Sequence, residues 1–409
     1  MDSFFKVQSL EAVLSRASDF QPVAEETVPL SDAIGRVLSA DIAAEEDVPG
    51  FPRSTMDGFA VKGASTFGAS EGNPAFLTVV GAVAMGDTPG MTVARGQAVR
   101  IATGGMLPDG ADSVVMIEHT EALDESTIEV YKSVAPGQHV IQKGEDITTG
   151  DTLIRKGRRI RPQEAGFLAA LGFGDIPVYR KPRIAIISTG DEVVPVDHRP
   201  GPGQIRDTNT TTLSGLCILA GAKPFVFGIV RDDVELLFRT CLEAVETCDA
   251  VLISGGSSVG TRDYTLEVLR RLPEAQILVH GVSISPGKPT ILSRSGNRMI
   301  WGLPGHVTSA MIVFVALVRP FIARIGGLDH HSPNQRRISA TLSRNLPSSQ
   351  GRSDFVRVRL IERDGILCAD PVLGKSGLLN TMVMADGLVR IDANSEGLDA
   401  GTVVEIIGL

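Results

Sequence analysis

Between residues 183 and 325 the chain alternates short apolar runs with helical patterns, and few folds accept that order. The strand-like runs fall at 184–187, 225–230, 250–253, 276–279 and 299–302, with helical spacing at 211–220, 233–246, 264–272 and 308–325. An unbroken apolar run is what a strand needs when helices cover both faces of its sheet, and parallel strands require crossovers long enough to hold a helix. The order therefore predicts an α/β domain with a mostly parallel sheet, introduced by Lys181-Pro182. Ligands of such a sheet collect beyond the carboxyl ends of its strands.

The flanking segments have a different texture. Residues 7–18 and 30–37 carry apolar positions at helical spacing, the second with Ser31 as N-cap, and 164–171 is a further helix. From 48 to 146, β-branched runs such as 76–80, 97–101 and 113–117 are separated by Gly and Pro turns, giving a β-rich unit. After Gly326-Gly327 a polar connector leads to short strands at 336–342, 354–360, 367–371, 387–391 and 403–406, a separate small β domain. A chain of 409 residues implies two to four domains. The expected division is 1–47 with 147–180, then 48–146, 181–327 and 334–409.

With 43% hydrophobic and 21% charged residues the chain has the balance of a globular protein. A net charge of -9 lacks the positive field of general nucleic-acid binding, so an anionic ligand needs a local pocket and no nucleic-acid partner is expected. Cys217, Cys241, Cys248 and Cys368 show no CxxC spacing, which predicts reduced thiols and a cytoplasmic location. The opening Met1-Asp2-Ser3-Phe4-Phe5-Lys6 does not read as a secretory signal. The apolar stretch 310–325 is interrupted by Arg319-Pro320 and reads as a buried helix, so no membrane partner is expected.

Chemistry concentrates at strand ends. Ile253-Ser254-Gly255-Gly256-Ser257-Ser258-Val259-Gly260-Thr261-Arg262-Asp263 follows a strand and precedes a helix, so unobstructed amides and hydroxyls could cradle phosphate there. The same loop could also be only a tight turn, but Asp263 beside a phosphate would call for a cation between them. Ser188-Thr189-Gly190-Asp191-Glu192 and Arg231-Asp232-Asp233 bring further acids to strand ends, although Asp233 fits an N-cap. In Ser285-Pro286-Gly287-Lys288-Pro289, two prolines stiffen a loop that holds a lysine suited to an oxyanion. Gly302-Leu303-Pro304-Gly305-His306 enters the last helix, with His306 equally consistent with a structural hydrogen-bonding role. In the β-rich unit, residues 51–60, Arg100-Ile101-Ala102-Thr103-Gly104-Gly105 and Lys143-Gly144-Glu145-Asp146 crowd polar groups into loops, and solvated turns would explain them as well.

Taken in order, Ser54-Thr55-Met56-Asp57-Gly58-Phe59-Ala60, Thr103-Gly104, Gly144-Glu145-Asp146, 188–192, Asp207-Thr208-Asn209, Ser254-Gly255-Gly256, Pro286-Gly287-Lys288-Pro289 and Gly302-Leu303-Pro304-Gly305 resemble the molybdopterin molybdenumtransferase family, which includes MoeA and the gephyrin E domain. The resemblance spans nearly the whole chain. It implies a MogA-like α/β domain, a β-rich inserted domain, a helical and extended linking domain and a C-terminal small β-barrel. It also implies a transferase that takes adenylylated molybdopterin and molybdate, uses Mg2+, and releases AMP and molybdenum cofactor. A homodimer with a shared active site is implied too, with the molybdopterin adenylyltransferase as a candidate supplier of substrate.

Carried over residue by residue, the resemblance puts Asp57 and Thr103 on the insert that faces the partner subunit and Asp146 near its hinge. It makes Glu192, Asp232 and Asp263 the acids for metal or catalysis. Lys288 and Ser309 would contact the oxyanion, joined by Arg352 and Ser376. Pterin and phosphate contacts fall to Ser188, Thr189, Gly190, Ser254, Gly255, Gly256, Ser257, Pro289, Pro304 and Gly305. Two departures stand out: Ser285 replaces the first lysine of Lys-Pro-Gly-Lys-Pro, and His306-Val307 replaces Asn-Pro. Losing one positive charge means weaker affinity, a substitute cation or a different ligand. A tungstate-selective paralogue and a non-catalytic pterin-binding scaffold remain the alternatives.

Overall fold

The computed structural model describes residues 7–255, 262–329 and 338–409, with the side chains of Arg262 and Asp263 excepted. The chain forms two compact units, one of Met1–Ala40, Lys156–Ala165 and Gly174–Leu409, the other of Asp41–Arg155 and Gly166–Phe173.

In the first unit the expected α/β domain is present. Its strands are β1 (Arg183–Thr189), β2 (Lys223–Val230), β3 (Ala250–Ser254), β4 (Ala275–His280), β5 (Ile291–Ser295) and β6 (Arg298–Leu303). They lie in the order β2-β1-β3-β6-β5-β4. The β1–β2, β1–β3 and β3–β6 pairs are parallel, while β5 runs antiparallel to both β6 and β4. Direction thus reverses only at β5, and the other five strands deliver their carboxyl ends to one edge.

Strand alternation explains why both sheet faces are buried. Ile184, Ile186, Ala250, Leu252, Met299 and Trp301 enter one core, and Ala185, Ile187, Val251, Ile253 and Ile300 enter the other. The second core is covered by the helices Val234–Thr247 and Arg262–Arg271, the first of these capped by Asp233, whose carboxylate accepts from the Leu236 amide at 2.8 Å. The first core holds Trp301 edge-on to Phe321 at 5.0 Å between ring centroids, with Phe20 against the same Phe321 at 5.9 Å. Aromatic pairs favour this arrangement because a positive ring edge meets a negative face.

The last helix of this domain runs over Val307–Val313, a π-turn at Phe314–Val318 and Arg319–Ile325. The helix expected over 308–325 therefore continues through Arg319-Pro320, which breaks only the apolar run. A proline ring clashes with the carbonyl four residues earlier, here Ala316, and that carbonyl lies within the wider π-turn. By length and composition Val307–Ile325 could cross a membrane, but 72% of its apolar window is buried inside the protein, so it is a core helix.

Two N-terminal expectations need correction. The helix expected over 7–18 is Leu10–Ser15, capped by Ser9 and followed by a 3-10 turn at Arg16–Asp19. The one expected over 30–37 is a single turn, Leu30–Ala33, and Ser31 lies inside it rather than capping it. Val37 and Leu38 pair instead with Arg159 and Val178 as β-bridges, so tertiary pairing overrides the local periodicity.

Within the same unit, Ile338–Leu342, Ser353–Arg363, Ile366–Pro371, Gly387–Ile391 and Val403–Gly408 close into a five-stranded barrel. Its core contains Val358, Ala369, Val389, Ile391 and Val404. A short strand, Ile284–Ser285, pairs in parallel with Ser353–Asp354 of the barrel.

The second unit is built on another six-stranded sheet. Its order is Ser113–Met116, Gly58–Val61, Gln97–Ile101, Ala75–Val83, Thr127–Val130 and Thr120–Ala122. Alternation again fills two cores, with Phe59, Val61 and Ala98 in one and Ala60 and Val99 in the other.

Trp301 is fully buried, so Trp301→Ala should cost about 3–5 kcal/mol through lost burial and a residual cavity. Its indole N–H has no hydrogen-bond partner among the described residues, so Trp301→Phe should cost much less. Chemical denaturation of the three proteins checks both, and equal losses for Phe and Ala would show that packing does not dominate there.

Candidate functional site

At the carboxyl edge of the sheet, β1 ends in Ser188-Thr189 and β3 in Ser254, all buried. The Ser188 and Ser254 hydroxyls lie 3.2 Å apart, and Ser188 Oγ donates to Asp207 Oδ1 at 2.9 Å. Asp207 also accepts from the Thr210 amide at 3.0 Å and the Thr210 hydroxyl at 2.6 Å. Gly255, with φ +115°, continues from β3 so tightly that a Cβ would stand 2.2 Å from the Thr189 carbonyl oxygen, leaving room for glycine alone. The Gly190 amide donates to the Val230 carbonyl at 3.2 Å, tying the β1 and β2 ends together.

Acids gather beside these hydroxyls. The Asp232 amide donates to Asp191 Oδ1 at 3.3 Å. The Asp232 carboxyl is held above the ordinary aspartate range, first by partial burial and then by the negative charges of Asp191 and Glu192. Among the described residues no three acidic, histidine or cysteine side chains form a complete metal-ligand group. Gly256 and Ser257 lie outside the described residues, as does the side chain of Asp263, whose backbone belongs to the helix Arg262–Arg271.

A cleft of about 610 Å³ opens where the Pro286-Gly287-Lys288-Pro289 loop meets the barrel. Lys288, Pro289, Pro304, Ser309, Arg352 and Ser376 all line it, with Ser285 and His306. Gly287 has φ +116°, a conformation natural to glycine, and it turns the chain so that Lys288 is exposed. The parallel pairing of Ile284–Ser285 with Ser353–Asp354 holds this loop beside Arg352. The Gly305 carbonyl accepts from Asn209 Nδ2 at 2.9 Å, so Asp207-Thr208-Asn209 braces Ser188 on one side and the Pro304-Gly305 turn on the other.

In the second unit, Asp57 Oδ1 accepts from the Thr103 amide at 2.7 Å and from the Thr103 hydroxyl at 2.9 Å. These two bonds hold the Asp57 carboxyl below its usual range, the amide contributing most. Asp146 stands apart from that pair, in a turn where its amide donates to the Val48 carbonyl at 3.1 Å.

Family models match the chain in three consecutive stretches: the MoeA N-terminal region (domain I and II) over residues 7–172, a "Probable molybdopterin binding domain" over 185–324, and the MoeA C-terminal region (domain IV) over 339–409. The molybdopterin molybdenumtransferase of Bacillus subtilis is 32% identical over 403 residues, covering 97% of this chain and 93% of that protein. The chain belongs to the molybdopterin molybdenumtransferase family. The Staphylococcus aureus molybdopterin molybdenumtransferase is 29% identical over 401 residues, covering 98% and 94% of the two chains. A solved molybdopterin biosynthesis MoeA protein from Pyrococcus horikoshii superposes with a TM-score of 0.87 at 31% identity, covering 99% of this chain and 100% of that one. The MogA-like α/β domain, β-rich region and C-terminal barrel expected of the family are all present.

Three side chains of the site carried no assigned role in the sequence. Asp207 and Asn209 lie in a family motif, but an Asp three residues before a helical amide also reads as an ordinary cap, and Asp207 does bond the Thr210 amide. The resemblance assigns a role to Glu192 and none to its neighbour Asp191. Only the spatial approach of β1 and β2 shows that it faces Asp232.

The raised Asp232 value has a definite sign. Such a carboxyl binds its proton more readily folded than unfolded, so its ionised form subtracts stability above the folded value, and that loss vanishes once the pH falls below the ordinary aspartate range. In the presence of a chelator, Asp232→Asn should therefore melt above the wild type at neutral pH. The gain is small because Asp232 is exposed and salt screens it. Melting curves from pH 7 down to pH 3 should converge, and no difference at pH 7 would show that neither burial nor the neighbouring acids penalise the Asp232 charge.

Proposed function

We propose that this protein transfers molybdate to adenylylated molybdopterin with release of AMP, yielding molybdenum cofactor. One observation carries the reading: Lys288, Ser309, Arg352 and Ser376, far apart in sequence, line one cleft together with Pro289 and Pro304. That combination of two cations and two hydroxyls suits a tetrahedral dianion such as molybdate. Ser188, Thr189, Gly190, Ser254 and Gly255, with Gly256 and Ser257 of the same loop, would receive the pterin and phosphate portions at the sheet edge.

The donor set also fits Mg2+, since hard carboxylate oxygens that repel one another, as Asp232, Asp191 and Glu192 do, are relieved by a divalent cation. Glu192 and Asp232, with Asp263, would hold it. Bound there, the cation supplies neutralisation of phosphate oxygens during anhydride cleavage. The residues of the chain then position and screen charge. Water adds to phosphorus of the anhydride, the bridging bond breaks, and AMP and the pterin phosphate separate. Lys288 and Arg352 hold the molybdate while the two dithiolene thiols bind the molybdenum, and one molybdate oxygen leaves as water with their two protons. In this reading the active form is a homodimer in which Asp57 and Thr103 come from the second copy, Asp146 sits near the hinge of that region, and the adenylyltransferase delivers the substrate.

Purified protein given adenylylated molybdopterin, molybdate and magnesium should form AMP, followed by chromatography, in a molybdate-dependent manner. Lys288→Ala should slow it about 10²–10³-fold, the usual cost of removing one donor to a reacting oxyanion. Tight pterin binding without turnover in the wild type would instead favour the scaffold reading, and unchanged turnover in Lys288→Ala would remove the cleft from the mechanism.

A further inference from the structure

The oxyanion cleft is less positive than its two cations suggest. Arg352 Nε lies 3.0 Å from Asp354 Oδ1, so part of its charge is already matched within the protein. That carboxylate is buried and also accepts the Ser348 hydroxyl at 2.8 Å, which anchors it. Ser285 lines the same cleft with a neutral hydroxyl. Lys288 is left as the cation of the cleft that forms no ion pair with a described residue, which is little for a doubly charged guest.

His306 is placed to make up the difference. It occupies the N-cap position of Val307–Val313, yet its side chain makes no capping hydrogen bond. The ring lines the cleft instead, with Nδ1 3.4 Å from Ser376 Oγ. The segment bearing Ser376 is fixed independently: the Thr308 hydroxyl donates to the Ser376 carbonyl, and Arg357 Nη2 donates to the Gly374 carbonyl at 2.6 Å. When the Ser376 hydroxyl donates to Nδ1, the ring proton resides on Nε2, which is then free to donate to a ligand.

We infer that His306 is an additional oxyanion donor of this cleft, supplying through its imidazole the contact that Ser285 cannot. The inference rests on the reading of the cleft as the molybdate site. It makes His306 a specificity-determining residue for tetrahedral dianions, reached through loops of both the α/β domain and the barrel.

Molybdate dissociation constants measured by calorimetry on the full chain test it. His306→Ala should weaken binding about tenfold, the scale of one lost hydrogen bond to a charged group, with an unchanged melting temperature. His306→Gln, which keeps a side-chain N–H, should return binding to within about threefold of wild type. Adding Ser285→Lys to His306→Ala should restore it through charge alone. Binding by His306→Ala within about twofold of wild type, while Lys288→Ala binds poorly, would overturn the role of His306 and leave the cleft standing. A loss that neither Gln nor Ser285→Lys repairs would overturn it too, assigning His306 to support of the Ser376 segment. If Lys288→Ala also binds molybdate normally, the reading of the cleft itself fails.

Discussion

Burial of the central sheet on both faces is the constraint from which the rest of the site follows. Because Ile184, Ile186, Leu252 and Trp301 point into one core and Ile187, Val251, Ile253 and Ile300 into the other, neither β1, β3 nor β6 can slip by one residue without exposing a whole apolar row. Fixed register in turn fixes where each strand stops. Ser188 and Ser254 are register partners in adjacent strands, and their hydroxyls meet at 3.2 Å for that reason. The polar edge is a consequence of the apolar interior.

The barrel contributes to this edge through backbone pairing. Ile284–Ser285 adds in parallel to Ser353–Asp354, so a loop from the α/β domain and the start of a barrel strand are aligned by main-chain hydrogen bonds rather than by side chains alone. Lys288 and Arg352 consequently reach one cleft despite their separation in sequence. Further contacts hold the opposite wall, where Thr308 binds the Ser376 carbonyl and Arg357 binds Gly374. Rigid elements on both sides suit the proposed role of the cleft, which would hold an anion without reorganising around it.

Much of this was legible in the sequence, and the misses have physical causes. The central parallel strands were evident because two-sided burial leaves nearly continuous apolar runs, as in 184–187 and 250–253. Ile291–Ser295 does not read as a strand in sequence because it holds only two apolar residues, and its buried positions include Ser293 and Ser295, whose hydroxyls bond the Gln276 and Pro273 carbonyls. The helical spacing in 30–37 misleads for the opposite reason, since Val37 and the adjoining Leu38 are used in β-bridges to segments more than a hundred positions away. Lys288 is legible from its Pro-Gly-Lys-Pro motif, and Ser309 only through the family resemblance; both line the cleft. The contacts of Asp191 with Asp232 and of His306 with Ser376 join positions distant in sequence, so no local pattern announces them.

Charge is divided along the carboxyl edge in a way that matches a ligand with two kinds of anionic group. Near the β1 and β2 ends, burial and the negative charges of Asp191 and Glu192 raise the cost of ionising Asp232, which in the proposed reading favours capture of a cation and, through it, phosphate oxygens. At the cleft the protein supplies positive groups directly, from Lys288 and Arg352. Asp207-Thr208-Asn209 stands between the two arrangements, bonded to Ser188 on the acidic side and to Gly305 on the cationic side. In the proposed reading, a chain with net charge -9 confines its attraction for anions to a prebuilt cleft and to an acidic edge that a divalent cation would make anion-binding, so that selectivity would arise from local geometry, not from the field of the whole molecule.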